Sequence, residues 1–477
     1  MRQSKLLDLL RTLSGRQTAR MEEYLASPYF NKNEELLSFY RFLKGFSPEY
    51  SHEDLDKKVL LKKGIAGLTL DAKRLAYWMS DLLKLTEGFL TVETLLEDPH
   101  LNNRTLLEIY FKKGLTKHYN GIMEKAERQL EEYPFRNAEF YYWQFQLRQL
   151  EYIHSDQSQR TYNPHLQDAA NALDAFYLVE KLRLSCAMIN LVQLLNVDYD
   201  LRWTQEVLKI AEGSPDFQTP AIRVYLALFR MLEHPEQPDF YFQAKEQLWA
   251  HTGKFDKAEL STLSGALFNF SSRRINRYND AFFWKEYLEV GKFLLREELI
   301  LDEGRLSPWL YKNLVSAGLQ LGDTEWTHGF ILQYRHRLPE SYQEPLYEYN
   351  LAHYYYHLRQ YDEAQLTLMQ VEFKDVFLAL STRSLLVKIF YETDQTELLF
   401  SHLEAFRIFL LRNKLLPESN RRQVQQFIDM TRKLAKIEKH EAKKIGEVEA
   451  QLPDASLILH RDWLLEKISE RRKEWRV

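Results

Sequence analysis

Breakers of regular structure are scarce in this 477-residue chain, which has 16 glycines and 14 prolines. Average usage would supply about twice as many glycines. Few breakers leave few tight loops, and no Asn-Gly pair precedes an alternating apolar run, so a hairpin-rich sheet protein is excluded. The single cysteine, Cys186, excludes an internal disulfide, a four-cysteine zinc site and an iron–sulfur cluster held by one chain. It lies on the apolar stripe of VEKLRLSCAMINLVQLL, which predicts a buried and inert thiol. One thiol suits a reducing compartment, and a cytoplasmic location is expected. No run of about 18 apolar residues is present, so nothing is expected to span a membrane. The opening MRQSKLLDLLRTLSGRQ is interrupted by Asp8 and followed by Arg11, which predicts an amphipathic helix rather than a secretory leader.

An excess of one charge is also missing. Lys and Arg number 64 against 68 Asp and Glu, a formal charge of −4, which gives no global drive toward nucleic acid or an anionic membrane. Enzyme signatures are absent as well. There is no G-x-x-x-x-G-K-[ST] loop, no G-x-G-x-x-G, no G-x-S-x-G and no H-E-x-x-H, and glycine is too rare for phosphate-cradling loops. A non-enzymatic chain without a cofactor or a metal is expected.

Against these absences, 45% of the residues are hydrophobic and 14% aromatic, far too apolar for disorder and enough for several cores. Apolar residues recur with helical spacing, as in LTLDAKRLAYWMSDLLKLTEGFL, where Leu75, Met79, Leu82 and Leu83 share a face and Asp71 is a natural N-cap. Helix follows helix across short turns, and the expected class is all-α. The polar stretches LEDPHLNNRT and SDQSQRTYNPH suggest boundaries that divide the chain into four regions. These are an N-terminal helical region 1–95, a helical hairpin region 96–160, repeats over 161–413 and capping helices over 414–477. In the last region Val424, Phe427, Ile428, Met430, Leu434 and Ile437 make one apolar face, and Trp463, Leu464 and Ile468 are expected to dock inward. The basic character of 421–444 reads as a solvated face, and nucleic acid is not an expected partner.

The stretch NLAHYYYHLRQYDEAQLTLMQV, residues 350–371, has small residues at Ala352 and Ala364, with Leu351, Tyr355, Tyr361, Leu368 and Val371 about them. Two small positions twelve residues apart let antiparallel helices approach closely. The pattern resembles a tetratricopeptide repeat. It also lies over Tyr311, Leu314, Val315 and Gly318, with a turn at Gly322, then Ile331, Tyr334 and Pro339; Thr327 stands at the second small position. A third unit uses Leu386, Val387, Phe390, Leu399, Leu403 and Phe406. The registers are 37 and 35 residues apart, near the family's ~34. About 100 residues carry the resemblance.

The resemblance implies a right-handed superhelical solenoid of antiparallel helix hairpins, and the first helix of each unit would line a concave groove. Trp309, Lys312, Tyr349, His353, Tyr356, Lys388 and Tyr391 would then be partner-binding, aromatic anchors supplying area and lysines orientation. The expected function is a scaffold or adaptor that takes a protein or peptide in the groove. A peptide-sensing regulator and a helical metal-binding enzyme are the alternatives. The metal reading rests on His353 and His357, which share a helix face, but Tyr354 stands where a zinc protease needs Glu. Separately, SSRRINR places Arg273, Arg274 and Arg277 at the end of an apolar helix, where they can bind an anion or simply favour a helix C-terminus.

Overall fold

The computed structural model describes residues 3–65, 71–155, 162–195, 197–215, 218–278, 280–302, 304–369, 375–413, 416–441, 443–454 and 457–475, and these are helical almost throughout. One two-rung antiparallel ladder, Leu301 with Leu306 and Asp302 with Arg305, is the only strand pairing among them. No described helix is long and apolar enough to cross a membrane.

The chain divides into two compact units, residues 1–133 with 139–174, and 134–138 with 175–477. Helices of the first unit are α1 (Lys5–Arg11), α2 (Gly15–Ala26), α3 (Glu34–Lys44), α4 (Lys57–Lys63), α5 (Ala72–Glu97), α6 (Pro99–Lys112) and α7 (Thr116–Glu132), followed by most of α8 (Ala138–His154). The Asp71 carboxylate accepts from the backbone N–H of Lys73 at 2.8 Å and of Arg74 at 2.7 Å, the cap expected from its sequence. Asp98 does the same for α6, so the polar stretch near residue 100 is a corner between helices. α2, α3 and α5 pack together with α1 around Phe39, Tyr40, Leu43, Leu82 and Phe89. Each such side chain contributes roughly 1.5–3 kcal/mol on leaving water.

The division falls inside α9 (Pro164–Leu195), not at the expected polar break, part of which (156–161) lies outside the described residues. The Asn163 side chain accepts from the His165 N–H at the start of this 32-residue helix, which then runs without interruption. Further along α9, the Cys186 thiol is buried and donates to the Tyr225 carbonyl at 3.4 Å; burial pushes its pKa well up.

In the second unit, helices pack on their chain neighbours: α10 (Thr204–Gly213), α11 (Pro220–Glu233), α12 (Pro238–Ala250), α13 (Lys257–Tyr278), α14 (Phe283–Arg296), α15 (Pro308–Gln320) and α16 (Thr324–Tyr334). Then come α17 (Glu340–His357), α18 (Tyr361–Met369), α19 (Val376–Glu392), α20 (Thr396–Arg412), α21 (Glu418–Ala435), α22 (Lys444–Ala450) and α23 (Arg461–Trp475). Ala352 and Ala364 are fully buried where α17 meets α18. The apolar face of α21 and the Trp463, Leu464 and Ile468 side chains of α23 are buried in one core with Leu399, Leu403 and Phe406. The C-terminal helices therefore share a core with α19 and α20. Val371 lies outside the described residues.

Thr327 at a position that favours a small residue is explained by what faces it. A Cβ built on Gly318 would come within 2.1 Å of Thr327 Oγ1, and Thr327 is buried and donates to the Asp323 carbonyl at 2.6 Å. The missing side chain has moved from one helix to the other. Gly318→Ala is expected to lower the urea midpoint despite alanine's better helix propensity, because overpacking costs about 1–3 kcal/mol against a propensity gain of about 1 kcal/mol. An unchanged midpoint would show that Thr327 yields freely. Gly322, the expected turn, has φ +71°.

Candidate functional site

α15 packs on α17, and α17 on α19. Residues on these helices meet across one shared strip. Lys312 Nζ donates to Ser381 Oγ at 2.7 Å and lies 5.4 Å from the Tyr349 ring centroid and 5.9 Å from that of Trp309. The rings of Tyr349 and His353 are 6.1 Å apart. At one end Trp309 is 42% exposed and stands edge-on to Phe377. At the other, the Tyr356 hydroxyl donates to Glu392.

The far end of the strip is covered by the chain itself. Trp463 Nε1 donates to Glu392 Oε1 at 2.8 Å, the Tyr361 hydroxyl donates to Oε2 at 2.6 Å, and Lys467 Nζ lies 3.2 Å from Oε2. The Lys388 ammonium sits 5.8 Å from the Trp463 ring, and the Arg471 guanidinium 5.1 Å from the Tyr391 ring. Arg471 Nη1 also donates to the Leu434 carbonyl at 2.7 Å. Residues 463, 467 and 471 are four apart, so one face of α23 delivers an aromatic anchor and two cations to α19. Tyr391, 8% exposed, is closed off beneath it. Burial works to raise the Glu392 carboxyl, but the hydrogen bonds from Tyr356, Tyr361 and Trp463 and the charge of Lys467 outweigh it, and its pKa is held below the ordinary range.

Between the two ends the strip is positively charged. Burial pushes Lys388 down to about 8, with Lys467 adding to the effect and Glu392 and Glu466 opposing it. Burial likewise holds Lys312 at about 8 against the pull of Asp375. The His353 imidazole is pushed down to about 3, first by burial and then by Lys388, Lys312 and His357. His460, just before α23, is held well below its ordinary value by burial and by Lys388, His353 and Lys312. Both imidazoles are neutral at pH 7. His353 Nδ1 is buried without a hydrogen-bond partner.

All seven residues expected to bind a partner thus lie on or beside one strip, although Tyr349 and Tyr391 are buried in it. His357 is exposed, and among the described residues no three of His, Cys, Asp and Glu group as a metal site. The arginines behave differently. Arg274 donates to Asp280 Oδ2 at 2.6 Å and to the Glu236 carbonyl at 3.1 Å, and lies 4.7 Å from the Tyr278 ring. One donor serves the turn after α13 and another the turn between α11 and α12. Arg273 is engaged within the chain, and the Arg277 side chain lies outside the described residues.

Sequence reasoning did not find the role of His460, Trp463 and Lys467 on this strip. The i, i+4 spacing of Trp463 and Lys467 was readable, but not that they face Glu392, 71 residues from Trp463. It also missed a cleft of about 570 Å³ walled by Trp249, Phe293, Trp326 and Phe330 with Lys292 and Arg296. There Lys292 is already paired with Asp323 at 2.6 Å. Comparison of the chain with known protein families, curated proteins and solved structures yields no match.

Proposed function

We propose that the chain is a non-enzymatic, cytoplasmic adaptor of tetratricopeptide-like build that recognises a helical segment of a protein partner on the α15–α17–α19 strip. The supporting observation is the way this strip already receives a helix. α23 lays Trp463, Lys467 and Arg471 onto it, with the Glu392 carboxylate receiving both the indole and the ammonium. A partner segment with an aromatic residue and a cation four positions on would make the same contacts, a helix laid into a groove by i, i+4 anchors. Trp309 and Phe377, exposed at the open end, extend the area on offer. Among the alternatives, a regulator gains support from α23, since an internal occupant makes binding conditional on its release.

The test supplies α23 in trans. A fluorescein-labelled peptide of residues 457–475 is expected to bind the full chain carrying Trp463→Ala and Lys467→Ala, followed by anisotropy. Wild type should bind it at least tenfold more weakly, because its own α23 competes at an effective concentration of roughly millimolar. No binding to the double variant, with its helical content intact, would remove the adaptor reading of this strip.

A further inference from the structure

Trp249, in the last turn of α12, lies against α14, its ring 4.5 Å from that of Phe293. α16 faces the same helix. Lys292 Nζ of α14 stands 4.6 Å from the Trp326 ring centroid and is paired with Asp323 at 2.6 Å. The Phe330 ring stacks on Trp326 at 5.0 Å. Between these three helices is the cleft of about 570 Å³. Its size is that of a small-molecule pocket, for which roughly 300–1,000 Å³ is usual. None of its residues belongs to the α15–α17–α19 strip.

The sequence keeps this space open. Gly329 is on the cleft wall, and a Cβ built there meets nothing within 4 Å. Residues 326, 329 and 333 share one face of α16, so a larger side chain at 329 would occupy the cleft. Trp249, Phe293 and Trp326 are only half-buried, which leaves ring surface for a flat ligand. The charges favour an acid. Glu289 is the acidic side chain on the wall, and Lys245 at 2.9 Å and Lys285 at 3.9 Å already hold it. Lys292 is engaged by Asp323 and by the Trp326 face. Arg296 is the cation with donors to spare. Its Nε donates to Glu297, the next residue, at 2.9 Å, and among the described residues its Nη groups take no partner. The guanidinium stands 5.5 Å from the Phe293 ring centroid, so its fork and the ring wall are adjacent. A ligand cation would meet a wall carboxylate already neutralised and two cations already beside the rings.

We propose that this cleft binds a small aromatic acid, a flat ring system the size of indole or naphthalene carrying a carboxylate. The ring lies against Trp249, Phe293 and Trp326, and the carboxylate accepts from the Nη donors of Arg296. The ring wall supplies area and the guanidinium supplies orientation. The site stands whether or not the strip takes a partner segment.

The experiment is titration calorimetry on the full chain at pH 7, with indoleacetate and naphthoate as the ligands. Indoleacetamide keeps the indole without the charge, tryptamine carries the opposite charge, and acetate has no ring. One saturable site per chain is expected for both aromatic acids, with indoleacetamide roughly tenfold weaker and no saturation by acetate. Arg296→Gln should bring indoleacetate down to the affinity of indoleacetamide and leave indoleacetamide itself unchanged. Gly329→Leu fills the cleft and should weaken every aromatic ligand by roughly tenfold or more. Both positions are exposed, so both variants are expected to fold. No saturable binding of either acid to wild type up to on the order of 10 mM would overturn the proposal. So would tryptamine binding as tightly as indoleacetate, or indoleacetate affinity unchanged in both variants.

Discussion

Lys388→Met is expected to stabilise the full chain at pH 7, by about 2 kcal/mol. Methionine fills the space of the lysine stem and carries no charge. The lysine's pKa falls from 10.5 to about 8 in the folded chain, which sets a ceiling of about 3 kcal/mol on the cost of burying its charge. Residual exposure lowers that figure. The sign follows from which state gives up the proton first. Below pH 8 both folded and unfolded chains carry the charged lysine, and folding bears the full cost. Between pH 8 and 10.5 the folded lysine loses its proton while the unfolded one keeps it, so wild-type stability recovers. Above 10.5 no cost remains. The advantage of the variant, read as the difference in urea midpoint, should therefore be complete at pH 7 and vanish above pH 10.5. A variant less stable than wild type would mean that the ammonium is satisfied as it stands.

Glu392→Gln is expected to cost roughly 3 kcal/mol and to release α23 from the strip. The carboxylate gathers two hydroxyls, an indole N–H and an ammonium. An amide keeps one acceptor oxygen and turns an NH₂ group toward the other donors. Lys467, only 6% exposed, loses its one buried counter-charge and keeps only the more exposed Glu470 at 2.8 Å and Glu466 at 3.5 Å. Removing one partner of a buried pair typically costs 3–5 kcal/mol. Hydrogen exchange locates the effect: amides of 461–475 should exchange much faster, while those of α15 change little. Equal protection in α23 would show that the apolar contacts of Leu464 and Ile468 suffice. Acid should act in the same way. A carboxyl held below its ordinary value contributes stability that is complete above the unfolded pKa of about 4.3 and is lost as pH falls through the folded value. His353 adds to the loss. Its imidazole, held near 3 in the folded chain, opposes protonation from about pH 6.5 downward.

The helices and much of their packing were legible because they follow local rules. Asp71 caps the helix it precedes, Gly322 turns the chain, and Ala352 and Ala364 are buried between paired helices. The strip residues were named in advance through the repeat resemblance, which implies a lining role for the first helix of each unit, and not from spacing alone. What could not be read was long-range. Nothing local in HRDWLLEKISERRKEWRV says that Trp463 ends on Glu392, and a capping helix and an internal occupant have the same amphipathic pattern. Burial of Tyr391 follows from that address, whereas Tyr349 is covered beside Lys312 and His353. The division inside α9 was hidden for a related reason, since an uninterrupted helical pattern does not reveal where its neighbours change. Thr327 looked like a departure until Gly318 was found opposite.

The buried thiol of Cys186 has a practical consequence. Being the chain's sole cysteine, it can react with only one equivalent of a thiol reagent, and only when α9 lifts away from the Tyr225 carbonyl. Labelling kinetics would then act as a stopwatch for that event. When reclosing is fast, the observed rate divided by that of a free thiol gives the fraction of time the region stands open. The opening of one chosen place can thus be timed in the unmodified protein, without adding a probe.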